Sequence, residues 1–135
     1  KYILFCLGRQ DIPEWIYNFI NNDNNNNWLL RPHPGLNNTK ELKNSKFLSI
    51  LIKEKKNVFF EDVLDLPLYF KLSKMDCLVG YGSTTIIEAS YFKVPAIVIE
   101  DSNLEYFKNE LNNNQLQVAI NEKKFFKALN KCLTK

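Results

Sequence analysis

Short apolar runs and longer segments of helical period take turns along the whole chain, and this alternation limits the possible folds more than any other feature. The first run, Lys1 to Leu7, stops at Gly8; "DIPEWIYNFI" follows, with Asp11 placed to cap a helix and Pro13 in its first turn. "WLLRPHPG" is a second strand, stopped by prolines. "KELKNSKFLSILIKEKK" is amphipathic, with Leu42, Phe47, Ile50 and Leu51 on one face. The pattern continues with "NVFFED" and "DLPLYFKLSKM", "DCLVGY" and "STTIIEASYFK", then "PAIVIED" and "NLEYFKNEL". It closes with "QVAI" and "NEKKFFKALNKCL", where Asn121 is the expected cap. The strands are continuous apolar runs, as expected of strands covered on both faces. Strand and helix alternating in this way predict an α/β fold: a doubly wound parallel sheet of about six strands with right-handed crossovers.

A chain of 135 residues, 45% hydrophobic and 13% aromatic, can bury one core of its own, so residues 1–135 are read as one domain. It begins at Lys1 inside a buried-strand pattern, which leads us to expect a longer natural chain extending upstream. The net charge of +3, from 18 Lys+Arg against 15 Asp+Glu, falls far short of a basic face that tracks nucleic-acid phosphates, so nucleic acid is not an expected partner. Cys6, Cys77 and Cys132 are widely spaced in apolar segments, arguing for buried reduced thiols and a cytoplasmic setting, not a disulfide frame or zinc site. No apolar stretch reaches the roughly 18 to 20 residues of a membrane-spanning helix. "NNDNNNNW" and "NNNQ" read as solvated loops.

Ligands of such sheets bind beyond the carboxyl ends of the strands, where the strand order reverses. Two segments there are chemically unusual. In "GYGSTT", Gly80 and Gly82 can take positive φ or allow close approach, Ser83 lies near the helix N-cap, and the first helical amides face outward. Amides and dipole favour an anion, and the hydroxyls of Ser83, Thr84 and Thr85 add neutral donors. The segment is either a capped helix or a phosphate cup. It is neither a dinucleotide fingerprint, lacking the third glycine, nor a Walker loop, lacking the lysine. Glu88 shares a helix face with Thr84 and Thr85 and can reach a ribose hydroxyl; the alternative is a solvated carboxylate.

In "RPHPG", His33 is the chain's single histidine, held between two prolines at the end of a strand, where it either donates to a departing phosphate or is an ordinary structural or surface side chain. Arg31, two residues earlier, shares its side, and Arg9 lies at the same edge after the first strand; either can neutralise phosphate or simply cap carbonyls. Glu61 and Asp62 can hold ribose hydroxyls or the exocyclic amine of a base, or complement a helix dipole.

Together, "RPHPG", "FFED" and "GSTTIIEA" after the second, third and fourth strands resemble the carboxy-terminal, donor-binding half of a GT-B glycosyltransferase, a Rossmann-like domain. The chain is most similar to bacterial sialyltransferases and capsule polysaccharide transferases that use CMP-activated sugars, with their His-Pro and Ser-Ser or Ser-Thr pairs. The resemblance covers nearly the whole chain. It implies that His33 is the catalytic residue, binding the donor phosphate and assisting its departure, that Ser83 and Thr84 bind the same phosphate, and that Glu61 binds the cytidine ribose. Thr85, Arg31 and Arg9 join the phosphate set, and Asp62, Glu88 and Gly82 the ribose and base set, from position alone.

The implied function is metal-independent transfer from a nucleotide-activated sugar, CMP-sialic acid or a related CMP-sugar, in surface polysaccharide or lipooligosaccharide synthesis. The sequence has no Asp-x-Asp metal motif, and no cofactor is expected. The partners implied are the nucleotide-sugar donor, a glycan or glycolipid acceptor, and an amino-terminal acceptor domain that supplies the general base; without that domain these residues are expected to bind nucleotide and turn over little. Peripheral association with the inner face of the membrane is a further expectation for the full protein. Three alternatives stand beside this: a CDP-glycerol or CDP-ribitol polyol phosphotransferase, a UDP-sugar epimerase of the same fold, and a non-catalytic nucleotide-binding module.

Overall fold

The computed structural model describes residues 1–8, 10–33, 45–60, 68–102 and 104–134, the side chain of Tyr69 excepted. Six strands, β1 (Tyr2–Cys6), β2 (Asn27–Arg31), β3 (Val58–Phe60), β4 (Cys77–Gly80), β5 (Ala96–Val98) and β6 (Leu116–Val118), form one all-parallel sheet in the order β3-β2-β1-β4-β5-β6. The expected doubly wound, Rossmann-like sheet is therefore present. Its strand order reverses between β1 and β4, so a crevice opens where the connections from these two strands leave in opposite directions.

Two apolar layers sandwich the sheet. On one face α1 (Glu14–Asn22), α2 (Lys46–Glu54) and α6 (Glu122–Leu133) pack Ile16, Ile20, Leu48, Leu51 and Phe125 against Ile3, Phe5, Trp28 and Val79. On the other, α3 (Leu68–Leu72), α4 (Thr85–Tyr91) and the 3-10 turn Leu104–Phe107, continuing into α5 (Lys108–Asn112), cover Leu4, Leu78, Ala96 and Val98. Continuous burial holds for β4 and β5, and for Ile3 to Phe5 of β1, at the centre of the sheet. In contrast β2 alternates buried and half-buried residues, and Phe59 of the edge strand β3 is exposed. Cys77 and Cys132 are buried free thiols; a hydrogen bond with Cys132, then burial, pushes the Cys77 thiol up. Cys6 is only half-buried.

Several local expectations change. Asp11 does not cap α1, whose N-cap is Pro13. Its carboxylate instead accepts from the Phe47 amide at 2.9 Å and the Leu48 amide at 3.4 Å, the open end of α2, tying the β1 connection to a helix 36 residues later. The Asn-rich connection, residues 23–26, is exposed to half-buried, and its polar groups are paired. Asp23 accepts from the Trp28 indole (2.9 Å) and Asn26 (2.9 Å), while Asn57 donates to the carbonyls of Asp23 and Asn26, closing the amino end of β2. Asn114 takes φ 58 behind α5, a left-handed terminus that asparagine tolerates. Asn121 caps α6 as expected, accepting from Lys124 at 2.9 Å. Leu42 lies outside the described residues.

The Asp11 contact generates a stability prediction. Asp11→Ala is expected to cost about 1 kcal/mol in denaturant unfolding, the usual loss when a helix end gives up its side-chain acceptor. An unchanged midpoint would show that the contact contributes nothing.

Candidate functional site

Strand register places the site. Cys6 of β1 pairs with Arg31 of β2 on one side and with Gly80 of β4 on the other, so the three strand ends finish in one row. The Leu7 amide donates to the Arg31 carbonyl at 2.9 Å, and the Ile99 amide to the Gly80 carbonyl at 3.0 Å, carrying the row past the strands. Two residues beyond the row, the chain reaches His33, Gly8 and Gly82. Neighbouring strands lie about 4.8 Å apart, so the exits of β2 and β4 flank that of β1 at a separation of about 10 Å.

A cavity of about 610 Å³ occupies this position. Leu7 and Gly8 belong to its β1 wall, Arg31, Pro32 and His33 to its β2 wall, and Tyr81 through Thr85 to its β4 wall, with Glu88 and Leu68 at the sides. Pro32 is buried and anchors the half-buried His33 beside it. Pro34, the second flanking proline, lies outside the described residues.

The β4 turn differs from its expected form. Neither Gly80 nor Gly82 has positive φ; close approach is what the glycine at 82 provides. A Cβ there would lie 3.3 Å from the Ser102 carbonyl oxygen and 3.4 Å from the Phe107 ring. The Gly82 amide donates to Glu100 Oε1 at 3.0 Å, so the end of β5 holds the turn in place. The N-cap is Thr84, and Ser83 makes no cap. The Ser83 and Thr85 hydroxyls instead hydrogen-bond each other at 2.6 Å. Ser83 and Thr84 are exposed, and their carbonyls accept from the Ile86, Ile87 and Glu88 amides.

Tyr81, given no role by the sequence reading, lies across the cavity floor. A Cβ on Gly8 would sit 3.2 Å from its ring, and Phe5 backs it with centroids 6.4 Å apart. Burial, then the Glu100 and Asp11 carboxylates, pushes its phenol up to about 12.

No protein-family model and no curated protein sequence matches the chain. Solved structures do match it. The UDP-GlcNAc 2-epimerase of Methanocaldococcus jannaschii, in complex with UDP-GlcNAc and UDP, superposes with TM-score 0.74 at 20% identity, covering 99% of this chain and 38% of that one. The UDP-GlcNAc 2-epimerase of Neisseria meningitidis bound to UDP-GlcNAc gives 0.75 at 14%, covering 99% and 36%. The glycotransferase of kitacinnamycin gives 0.66 at 14%, covering 100% and 35%. The fold is half of the GT-B type. The chain spans less than two-fifths of the length of each of these structures.

Within this half-fold the cavity brings together seven of the sequence-derived candidates: Arg31, His33, Gly82, Ser83, Thr84, Thr85 and Glu88. Arg9, Glu61 and Asp62 lie outside the described residues. Tyr81 and Glu100 are the additions. A bulky ring between two glycines and an acid ending β5 were visible in the sequence, but nothing there shows that one crosses to β1 and the other holds Gly82. Among the described residues no three of His, Cys, Asp and Glu are grouped to hold a metal ion.

Tyr81 carries a pH prediction. Because its folded pKa exceeds the ordinary 10.0, the neutral phenol stabilises the fold fully below pH 10, and this contribution is lost as pH rises toward 12. Alkaline difference absorbance should show one phenol ionising late, missing in Tyr81→Phe. If that variant removes a phenol titrating near 10, the buried position is wrong.

Proposed function

We propose that the chain is a nucleotide-sugar-binding domain of a GT-B-type sugar-processing enzyme, and that its ligand is a UDP-sugar. The observation that carries this is the cavity at the sheet's reversal point, where Arg31 and His33 face Ser83, Thr84 and Thr85. A cation, an imidazole and neutral hydroxyls converge there on a space able to take a diphosphate. Glu88, at the side of the same cavity, is placed to accept from ribose hydroxyls. The chemistry asked of the chain is electrostatic: donors held in position stabilise phosphate charge, and His33 protonates or hydrogen-bonds the bridging oxygen as that charge develops.

The UDP-GlcNAc 2-epimerase structures support the UDP-sugar epimerase reading, one of the sequence-based alternatives, better than CMP-sialic acid. A glycosyltransferase activity remains the second reading, favoured by the His-Pro and Ser-Thr pairs and by the kitacinnamycin glycotransferase likeness. Its CMP preference rests on the resemblance alone, which implies Glu61 as the residue that binds the cytidine ribose. Sugar, acceptor and reaction belong to the whole protein.

Thermal unfolding in the presence of UDP, UDP-GlcNAc, CMP and GMP separates these readings. UDP and UDP-GlcNAc should stabilise the chain most, by about 2.7 kcal/mol at a ligand concentration one hundredfold above Kd. His33→Ala should remove most of the gain. Ser83→Ala with Thr84→Ala should weaken UDP while leaving uridine nearly unaffected. A larger shift with CMP would favour the transferase reading, and no shift with any nucleotide would refute the site.

A further inference from the structure

We propose that the surface made by the carboxyl ends of α3 and α4 docks on an anionic membrane surface. This surface is independent of the nucleotide reading. In a parallel sheet the crossover helices run back against the strands, so their carboxyl ends gather at the edge opposite the cavity. The two helices lie side by side and bury Leu72, Ile86 and Ala89 against the sheet. They leave three aromatic rings in solvent: Phe70 at 44% exposure, Tyr91 at 81% and Phe92 at 41%.

Lysines surround these rings. Lys74 places its Nζ 4.8 Å over the Phe70 ring, and Lys93 follows Phe92 directly. Lys1, Met75, Asp76 and Lys93 line one shallow depression, which joins the end of α3 to the end of α4. The carboxylate there is already engaged, since Asp76 accepts from the Tyr2 amide at 2.8 Å. Its charge remains, but Lys1, Lys93 and Lys74 outnumber it, so positive charge is in excess at the rim.

Lys93 also sits where its backbone is strained. With φ 57 it is in the left-handed region; its amide donates to the Ser90 carbonyl and that of Val94 to the Ala89 carbonyl, the double bond of a helix end that ordinarily takes glycine. A lysine thus occupies a position that glycine would fill at lower cost, and its charge is set beside two exposed rings.

Exposed aromatics at headgroup depth with lysines around them suit an anionic bilayer surface, because the rings enter the interface while the ammonium groups meet lipid phosphates. A second copy of the same face would set lysines against lysines. Docking by this edge leaves the cavity, at the Thr85 end of α4, open to solvent.

Co-sedimentation of the 135-residue chain with phosphatidylcholine vesicles, with and without phosphatidylglycerol, tests the proposal. Binding is expected to the mixed vesicles, weakly to the neutral ones, and to fall as salt is raised. Lys74→Gln with Lys93→Gln should weaken it roughly 25-fold, at about fivefold per lysine, and Tyr91→Ser with Phe92→Ser should abolish it. Lys93→Gly is the decisive variant: its melting temperature should rise by a few degrees while binding falls about fivefold, so the loss cannot come from unfolding. The proposal is overturned by no binding to mixed vesicles, by equal binding to both kinds, by unaltered binding of these variants, or by self-association that Tyr91→Ser with Phe92→Ser removes.

Discussion

The row formed by Arg31, Cys6 and Gly80 is the constraint on which the site depends. Because β1 pairs with β2 on one side and β4 on the other without slippage, three connections leave the sheet at one level. A slip of one residue in either ladder would turn every side chain of that strand to the opposite face and draw His33 away from Ser83. The apolar residues forbid it. Ile3 and Phe5 face one core layer and Leu4 the other, so the register that fills both layers also aligns the cavity walls.

Around this row, contacts distant in sequence hold the loops. Glu100 fixes the Gly82 amide, Asp11 closes the start of α2, and Tyr81 lies against Gly8. Each links a connection to an element that the sheet has already placed. On the proposed reading, these contacts leave the Gly82 turn with little to order on binding, which is where preorganised sites gain affinity. The Glu100 carboxylate accepts from the Gly82 amide, and its charge also reaches the Tyr81 phenol that lines the cavity.

Architecture was legible in the sequence because burial on both faces writes long apolar runs, and helices between them write a 3.6-residue period. Both signals are local. The pairing of "RPHPG" with "GSTT" was also legible, since a doubly wound sheet leaves few places for two such segments to meet. What the sequence concealed is which of several possible partners a polar side chain takes. Asp11 beside Pro13 has every local feature of a cap for α1, yet its acceptor is used 36 residues away. Ser83 has the look of a cap and instead bonds Thr85. The Asn-rich stretch reads as a solvated loop by composition, and composition does not show that Asp23 within it accepts from three donors two to five residues later in the chain. The nucleobase was the least legible feature: the paired motifs suggested cytidine, and Glu61 and Asp62, the residues read toward the ribose and base, lie outside the described residues.

The central claim is that the exits of β2 and β4 form one anion-binding cavity. Amide and imidazole NMR shifts during titration with UDP test it most directly. The account predicts that resonances of His33 and of Gly82 through Thr85 move together along one binding curve, while those of β6 and α6 stay still. Shifts confined to one wall, or following separate curves, would contradict it.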